Sequence, residues 1–214
     1  MIVGHASDLH GNLGGILGSS QKPDVWILSG DICPNKTRGK VAVEFPYQAE
    51  WLAHNALPLV EKFGDTPVVV VEGNHDYIDI AALLRLYGAN AVNVTPEGVD
   101  VAGIRFAGFR EIPYMIGEWN GECRDFSDIV DRTFDSDPEI LVTHAPPAGI
   151  LDDDGMGKYG HGGGIPQLTS ALAYRPHRVR AHFFGHIHEQ GGKHVQKLGV
   201  HFFNGATFVR FVEI

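Results

Sequence analysis

Only two cysteines, Cys33 and Cys123, occur in 214 residues, far apart and without C-x-x-C spacing. One disulfide is a poor framework for a chain this long, so both are expected as free thiols, and no thiolate-built structural zinc site is indicated. Basic residues are also scarce: 17 Lys plus Arg stand against 26 Asp plus Glu, a net charge of -9. The densest basic stretch is Arg175-Pro176-His177-Arg178-Val179-Arg180. Duplex affinity comes largely from clustered Lys and Arg, so stable nucleic-acid binding is not expected. No segment approaches the roughly 18 apolar residues of a membrane helix, and no basic n-region precedes Ile2-Val3-Gly4. The reading is a soluble, cytoplasmic protein with no membrane partner. Internal repeats and linkers are lacking too, so residues 1–214 read as one domain.

The apolar residues that make up 43% of the chain fall in short β-rich runs at 2–6, 25–28, 67–71, 104–109, 139–143, 179–184, 194–198, 200–203 and 207–213. Helical spacing appears at 44–63 (Phe45, Ala49, Leu52, Ala53, Ala56, Val60), where Pro58 is a candidate kink, and at 79–87, 125–134 and 166–174. The pattern predicts an α/β beginning and a β-meander at the end. Asp152 to Gly164, glycine-rich and opening on three aspartates, reads as a long functional loop.

Five motifs place oxygen or imidazole groups at or just past the ends of predicted strands: Asp8-Leu9-His10, Gly30-Asp31, Gly73-Asn74-His75-Asp76, Thr143-His144 and Gly185-His186-Ile187-His188. Strand ends are where open α/β sheets hold ligands, and residues two apart on extended backbone project to the same side. Two carboxylates, one amide oxygen and four imidazoles suit Mn, Fe or Zn better than Ca. Singly, each motif has an ordinary explanation as a cap or turn; the ordered set of five points to metal.

That ordered series, D-x-H, GD, GNH-D, H and GH-x-H, resembles the calcineurin-like metallophosphoesterases from residue 8 to residue 188. The resemblance implies two packed mixed β-sheets flanked by helices. It also implies one ion on Asp8, His10, Asp31 and His188, and a second on Asp31, Asn74, His144 and His186, with Asp31 bridging. His75 resembles the family's catalytic imidazole, with Asp76 to orient it and raise its pKa. Two divalent ions against two carboxylates leave the site cationic, able to bind phosphate and to activate a bridging water, while His75 protonates the departing oxygen.

The segment Thr143-His144-Ala145-Pro146-Pro147, then Gly149-Ile150-Leu151-Asp152 and Phe184-Gly185-His186-Ile187-His188-Glu189, resembles the branch of metallophosphoesterase-domain (brain 239-type) phosphodiesterases. Hydrolysis of small or cyclic-nucleotide phosphodiesters is therefore expected, with a small phosphorylated substrate, a nucleotide among them, as partner. Phosphomonoester or nucleotide-pyrophosphate hydrolysis, and a metal-binding scaffold without turnover, stand as alternatives. Asp31 is followed by Ile32-Cys33-Pro34-Asn35, without the D-R-G pattern of protein Ser/Thr phosphatases. His161, Trp119 and Asn120 are candidate substrate contacts, with Tyr114 nearby in the same segment as the last two. His5 and His182, inside apolar strands, read as core histidines.

Overall fold

The computed structural model describes residues 1–37, 39–155 and 163–214. In chain order its elements begin β1 (Ile2–Ala6), α1 (Gly14–Leu17), β2 (Val25–Ser29), α2 (Val41–Phe63), β3 (Val68–Val71), α3 (Ile80–Leu86), β4 (Ala91–Asn93), β5 (Val99–Val101) and β6 (Ile104–Phe109). They continue with β7 (Ile112–Pro113), β8 (Glu122–Cys123), α4 (Ser127–Asp135), β9 (Ile140–Thr143), α5 (Pro166–Tyr174), β10 (Ala181–Phe184), β11 (His194–Lys197), β12 (Val200–Asn204) and β13 (Val209–Glu213).

Two large mixed sheets pack face to face, with helices outside. The first has the order β13-β1-β2-β3-β4, the second β11-β12-β10-β9-β6-β5, and β7 and β8 form a separate pair. The alternation of β side chains builds the layers. Val68 and Val70 belong to the core beneath α1, α2 and α3, with Ile16, Leu52, Leu59 and Leu84. Val69 and Val71 belong to the core between the sheets, with Phe106, Val142 and Phe183. A third core joins Leu141, Phe184 and Phe202 to α4 and α5 through Val130, Phe134, Leu168 and Leu172.

α2 continues through Pro46 and Pro58, and its buried face carries Glu44, Gln48, Leu52, Ala56, Leu59 and Phe63. Phe45, expected on that stripe, lies 55% exposed, one position around the helix. The expected terminal meander does not form. β11 and β12 make an antiparallel hairpin, but β12 lies parallel to β10, and β13 crosses to pair antiparallel with β1. That crossing gives the free edge of β1 a partner and brings Phe211 against Trp26, ring centroids 5.3 Å apart. No helix among the described residues is long and apolar enough to cross a membrane.

The topology matters most at one edge. β1, β2 and β3 are parallel neighbours in one sheet, and β9 and β10 are parallel neighbours in the other. The five motifs begin at or just after the last residues of these five strands, so the carboxyl ends of both sheets supply one site.

Candidate metal centre

Asp8 and Asp31 are both almost fully buried, and each divides its oxygens in the same way. Asp8 Oδ2 accepts from the Ser7 hydroxyl at 2.6 Å and from the His186 amide at 2.9 Å, while Oδ1 faces His188 Nε2 at 3.1 Å. Asp31 Oδ1 accepts from the His75 amide at 2.7 Å, while Oδ2 faces His144 Nε2 at 3.4 Å and His10 Nε2 at 4.0 Å. One oxygen of each carboxylate is thus anchored by protein donors, and the other points into a group of imidazoles.

The backbone makes room for this. A Cβ on Gly73 would lie 2.0 Å from Asp31 Oδ1, and one on Gly185 would lie 2.0 Å from Asp8 Oδ2. Glycine is required at both positions by close approach. Convergence within Asp8-Leu9-His10 does not come from extended backbone, as expected: φ is 51° at Asp8 and 45° at His10, and Asp31 (55°) and His186 (67°) are also left-handed. Such conformations are uncommon for side-chain-bearing residues and concentrate at functional sites.

His144 tests whether the pocket fits a cation. Its Nδ1 donates to the Ser29 carbonyl at 2.9 Å, so Nε2 faces Asn74 Oδ1 at 3.1 Å and Asp31 Oδ2 at 3.4 Å. With a neutral ring, three lone pairs meet in a buried space, an arrangement that a cation relieves. Without metal that cation is a proton. Burial alone would lower the His144 pKa, but the Asp31 carboxylate outweighs it and raises the group to about 9. Burial likewise opposes ionisation of Asp31 and is overcome by His144, with His75 and His10, so that carboxyl stays below its usual range. His186, its ring 5.1 Å from that of His144, is lowered to about 4 by burial and by its neighbour.

Three sets of side chains bring potential ligand atoms within 4.8 Å of one another: Asp8, His10 and His188; His10, Asp31 and His75; and Asp8, Asp31 and His144. Asn74 joins through its contact with His144, and His186 through its ring contact and its amide bond to Asp8. All seven sequence-derived ligand candidates therefore lie in one cluster, with His75 at its border.

Asp76 does something other than expected. Fully buried, it accepts from the amides of Gly73 (3.0 Å), Cys33 (2.9 Å) and Ile32 (3.3 Å), tying the β2 and β3 ends together. Adjacent residues point apart, so Asp76 is spent on backbone and the orienting contact to His75 comes from Asn35, at 2.6 Å from Nδ1. The His75 pKa is lowered, by burial first, not raised.

Trp119 packs its indole against His75, ring centroids 4.4 Å apart, and Asn120 Nδ2 donates to the Asp76 carbonyl at 2.7 Å. Tyr114 lies under Arg124, whose guanidinium carbon is 3.4 Å from the ring centre. His161 lies outside the described residues. His5 and His182 are fully buried and bond to Ser29 and Thr143, each at 2.8 Å. Cys33 and Cys123 are free thiols. Sequence reasoning missed Asn35, Gln48 and Arg110. Gln48 donates to the His75 carbonyl at 2.7 Å, and Arg110 donates to the Asp76 carbonyl at 3.2 Å. Nothing local marks them, since each reaches His75 or Asp76 across 27 residues or more.

A family model described as calcineurin-like phosphoesterase matches residues 1–190. The chain belongs to the calcineurin-like phosphoesterase family. This phosphoesterase family depends on two metal ions, and the Asp and His clusters described above are able to bind them. Metal-dependent phosphoesterase activity on a small phosphorylated substrate follows as the family's function. A solved crystal structure is similar over 95% of this phosphoesterase chain and 89% of its own, with 16% identity and a TM-score of 0.70, a likeness of fold. No curated protein matches the chain in sequence.

Proposed function

We propose that residues 1–214 act as one catalytic domain that hydrolyses phosphodiesters of small or cyclic-nucleotide type. One ion would be held by Asp8, His10, Asp31 and His188, and the other by Asp31, Asn74, His144 and His186. The observation that carries this reading is the division of labour at Asp8 and Asp31, where protein donors occupy one oxygen and the other faces imidazoles. Imidazole-rich sets of this kind suit Mn, Fe or Zn. When bound, such ions polarise phosphoryl oxygens and lower the pKa of water.

The protein's own groups do the rest. The Ser7 hydroxyl and the His186 and His75 amides hold the carboxylates in place, so little reorganisation accompanies binding. His75 borders the cluster and supplies the proton for the departing oxygen. Trp119 covers one side of that imidazole, and Asn120 anchors the segment carrying it, which supports an aromatic contact to a leaving group such as a nucleoside. Arg110, bonded to the Asp76 carbonyl, faces backbone and not the imidazoles, which favours a singly charged diester over a doubly charged monoester. The motifs around His144 and His186 support the metallophosphoesterase-domain phosphodiesterase branch, and the free thiols fit a reducing, cytoplasmic setting.

The test is hydrolysis of bis(p-nitrophenyl) phosphate against p-nitrophenyl phosphate, by protein reconstituted with Mn²⁺, Zn²⁺ or Fe²⁺. Faster, metal-dependent turnover of the diester is expected, abolished in Asp31→Asn. Preference for the monoester would make the protein a phosphatase, and metal binding without turnover of either would contradict the catalytic reading.

A further inference from the structure

The side chain of Asn35 meets His75 at two points and also bonds the Glu44 carboxylate. Its Nδ2 donates to the His75 carbonyl at 3.0 Å, and its Oδ1 lies 2.6 Å from His75 Nδ1. The first contact fixes which way the amide faces, because a carbonyl accepts only from the NH₂ end. The atom facing Nδ1 is therefore an acceptor, and Nδ1 must carry the hydrogen.

We infer that Asn35 is a positioning residue that holds the Nδ1–H of His75, so that the imidazolium gives up its Nε2 proton to the departing oxygen and is left as the neutral Nδ1–H tautomer. This rests on the proposed role of His75 as leaving-group acid. The ring is confined on other sides too, by Trp119 at 4.4 Å and by His10 edge-on at 4.9 Å between centroids. Rotation about the last side-chain bond would break the 2.6 Å contact and press the ring into the indole.

The loop that carries Asn35 is itself held by α2. Glu44 accepts from the Lys36 amide at 3.0 Å and from the Thr37 hydroxyl at 2.7 Å. Gln48, one turn later, donates to both the Pro34 carbonyl (3.2 Å) and the His75 carbonyl (2.7 Å). Two residues one turn apart on the same face of α2 thus set the distance between orienting amide and imidazole, and among the described residues no carboxylate is hydrogen-bonded to the ring. The orienting group is neutral, so it selects a tautomer and an angle without adding charge beside the metal cluster.

The experiment is NMR of isotope-labelled histidine in the zinc-loaded protein, with His75 assigned by its loss in His75→Ala, alongside kcat and KM for bis(p-nitrophenyl) phosphate. Wild type is expected to show the Nδ1–H tautomer. Asn35→Ala is expected to revert to Nε2–H, with kcat down about 100-fold and KM within about threefold. Asn35→Asp keeps the acceptor but loses the donor to the His75 carbonyl, so it should keep the tautomer and recover about tenfold of the lost kcat. A wild-type Nε2–H tautomer, or Asn35→Asp behaving as Asn35→Ala, would make Asn35 a loop tie only and overturn the inference. Absence of wild-type turnover would instead overturn the phosphoesterase reading, while the tautomer still decides the role of Asn35.

Discussion

Asp8, His10, Asp31 and His186 hold left-handed backbone at φ between 45° and 67°, a conformation that costs an L residue about 1 kcal/mol or more. Surrounding contacts must compensate, and the glycines facing the carboxylates are part of that support. Gly73→Ala would place a methyl within 2.0 Å of Asp31 Oδ1 and 2.5 Å of its amide. The expected result is a folded protein that loses bound metal, seen as an unchanged circular dichroism spectrum with metal content well below that of wild type. His144 makes the affinity pH-dependent. Its metal-free pKa of about 9 means that an ion must displace a proton at neutral pH, so affinity should rise about tenfold per pH unit and level off above about 9. The same raised pKa stabilises the metal-free fold. That contribution is complete below the unfolded value near 6.5 and is lost as pH climbs through about 9, so the melting temperature of the metal-free protein should fall over that range. An apparent zinc affinity, measured by calorimetry, that stays flat from pH 6 to 9 would contradict both statements.

Among elements, α2 carries more than packing. Its buried Glu44 and Gln48 reach the loops after β2 and β3. Glu44→Ala leaves the Lys36 and Thr37 donors without their acceptor, a loss of about 1–3 kcal/mol, and should lower kcat through the displaced Asn35 loop. Thermal melting and turnover measured together check this: a stability loss with unchanged kcat would separate α2 from the site. The five strand ends of the site were legible because each joins a β-rich run to candidate ligands, four of them through a glycine or threonine. The strands β4, β5, β7 and β8, of two or three residues each, were not, because so short a run has no periodicity to read. Asp76 was misassigned for a related reason. Sequence adjacency to His75 suggested contact, yet neighbouring side chains diverge, and the residue that meets the ring lies 40 positions earlier.

At the scale of the whole molecule, two sheets are joined at the edge where the cluster forms. Asp8 follows β1 in one sheet and is bonded by the amide of His186, which follows β10 in the other. Bound ions would fasten the two layers further, so chelation should lower the melting temperature, and the shift should grow with the free metal concentration of the reference sample. A melting temperature indifferent to chelator would place the ions outside the fold's stabilising contacts. The acidic surface implied by a net charge of -9 makes the metal-loaded imidazole cluster, which His10 and His188 open to solvent, the place where a phosphorylated substrate would be drawn in. The most direct test of that cluster is metal stoichiometry, by calorimetric titration of metal-free protein with Zn²⁺ and elemental analysis of the product. The account predicts two ions per chain, and loss of both in Asp31→Asn because that carboxylate is shared. A single ion in wild type, or two retained in Asp31→Asn, would contradict it.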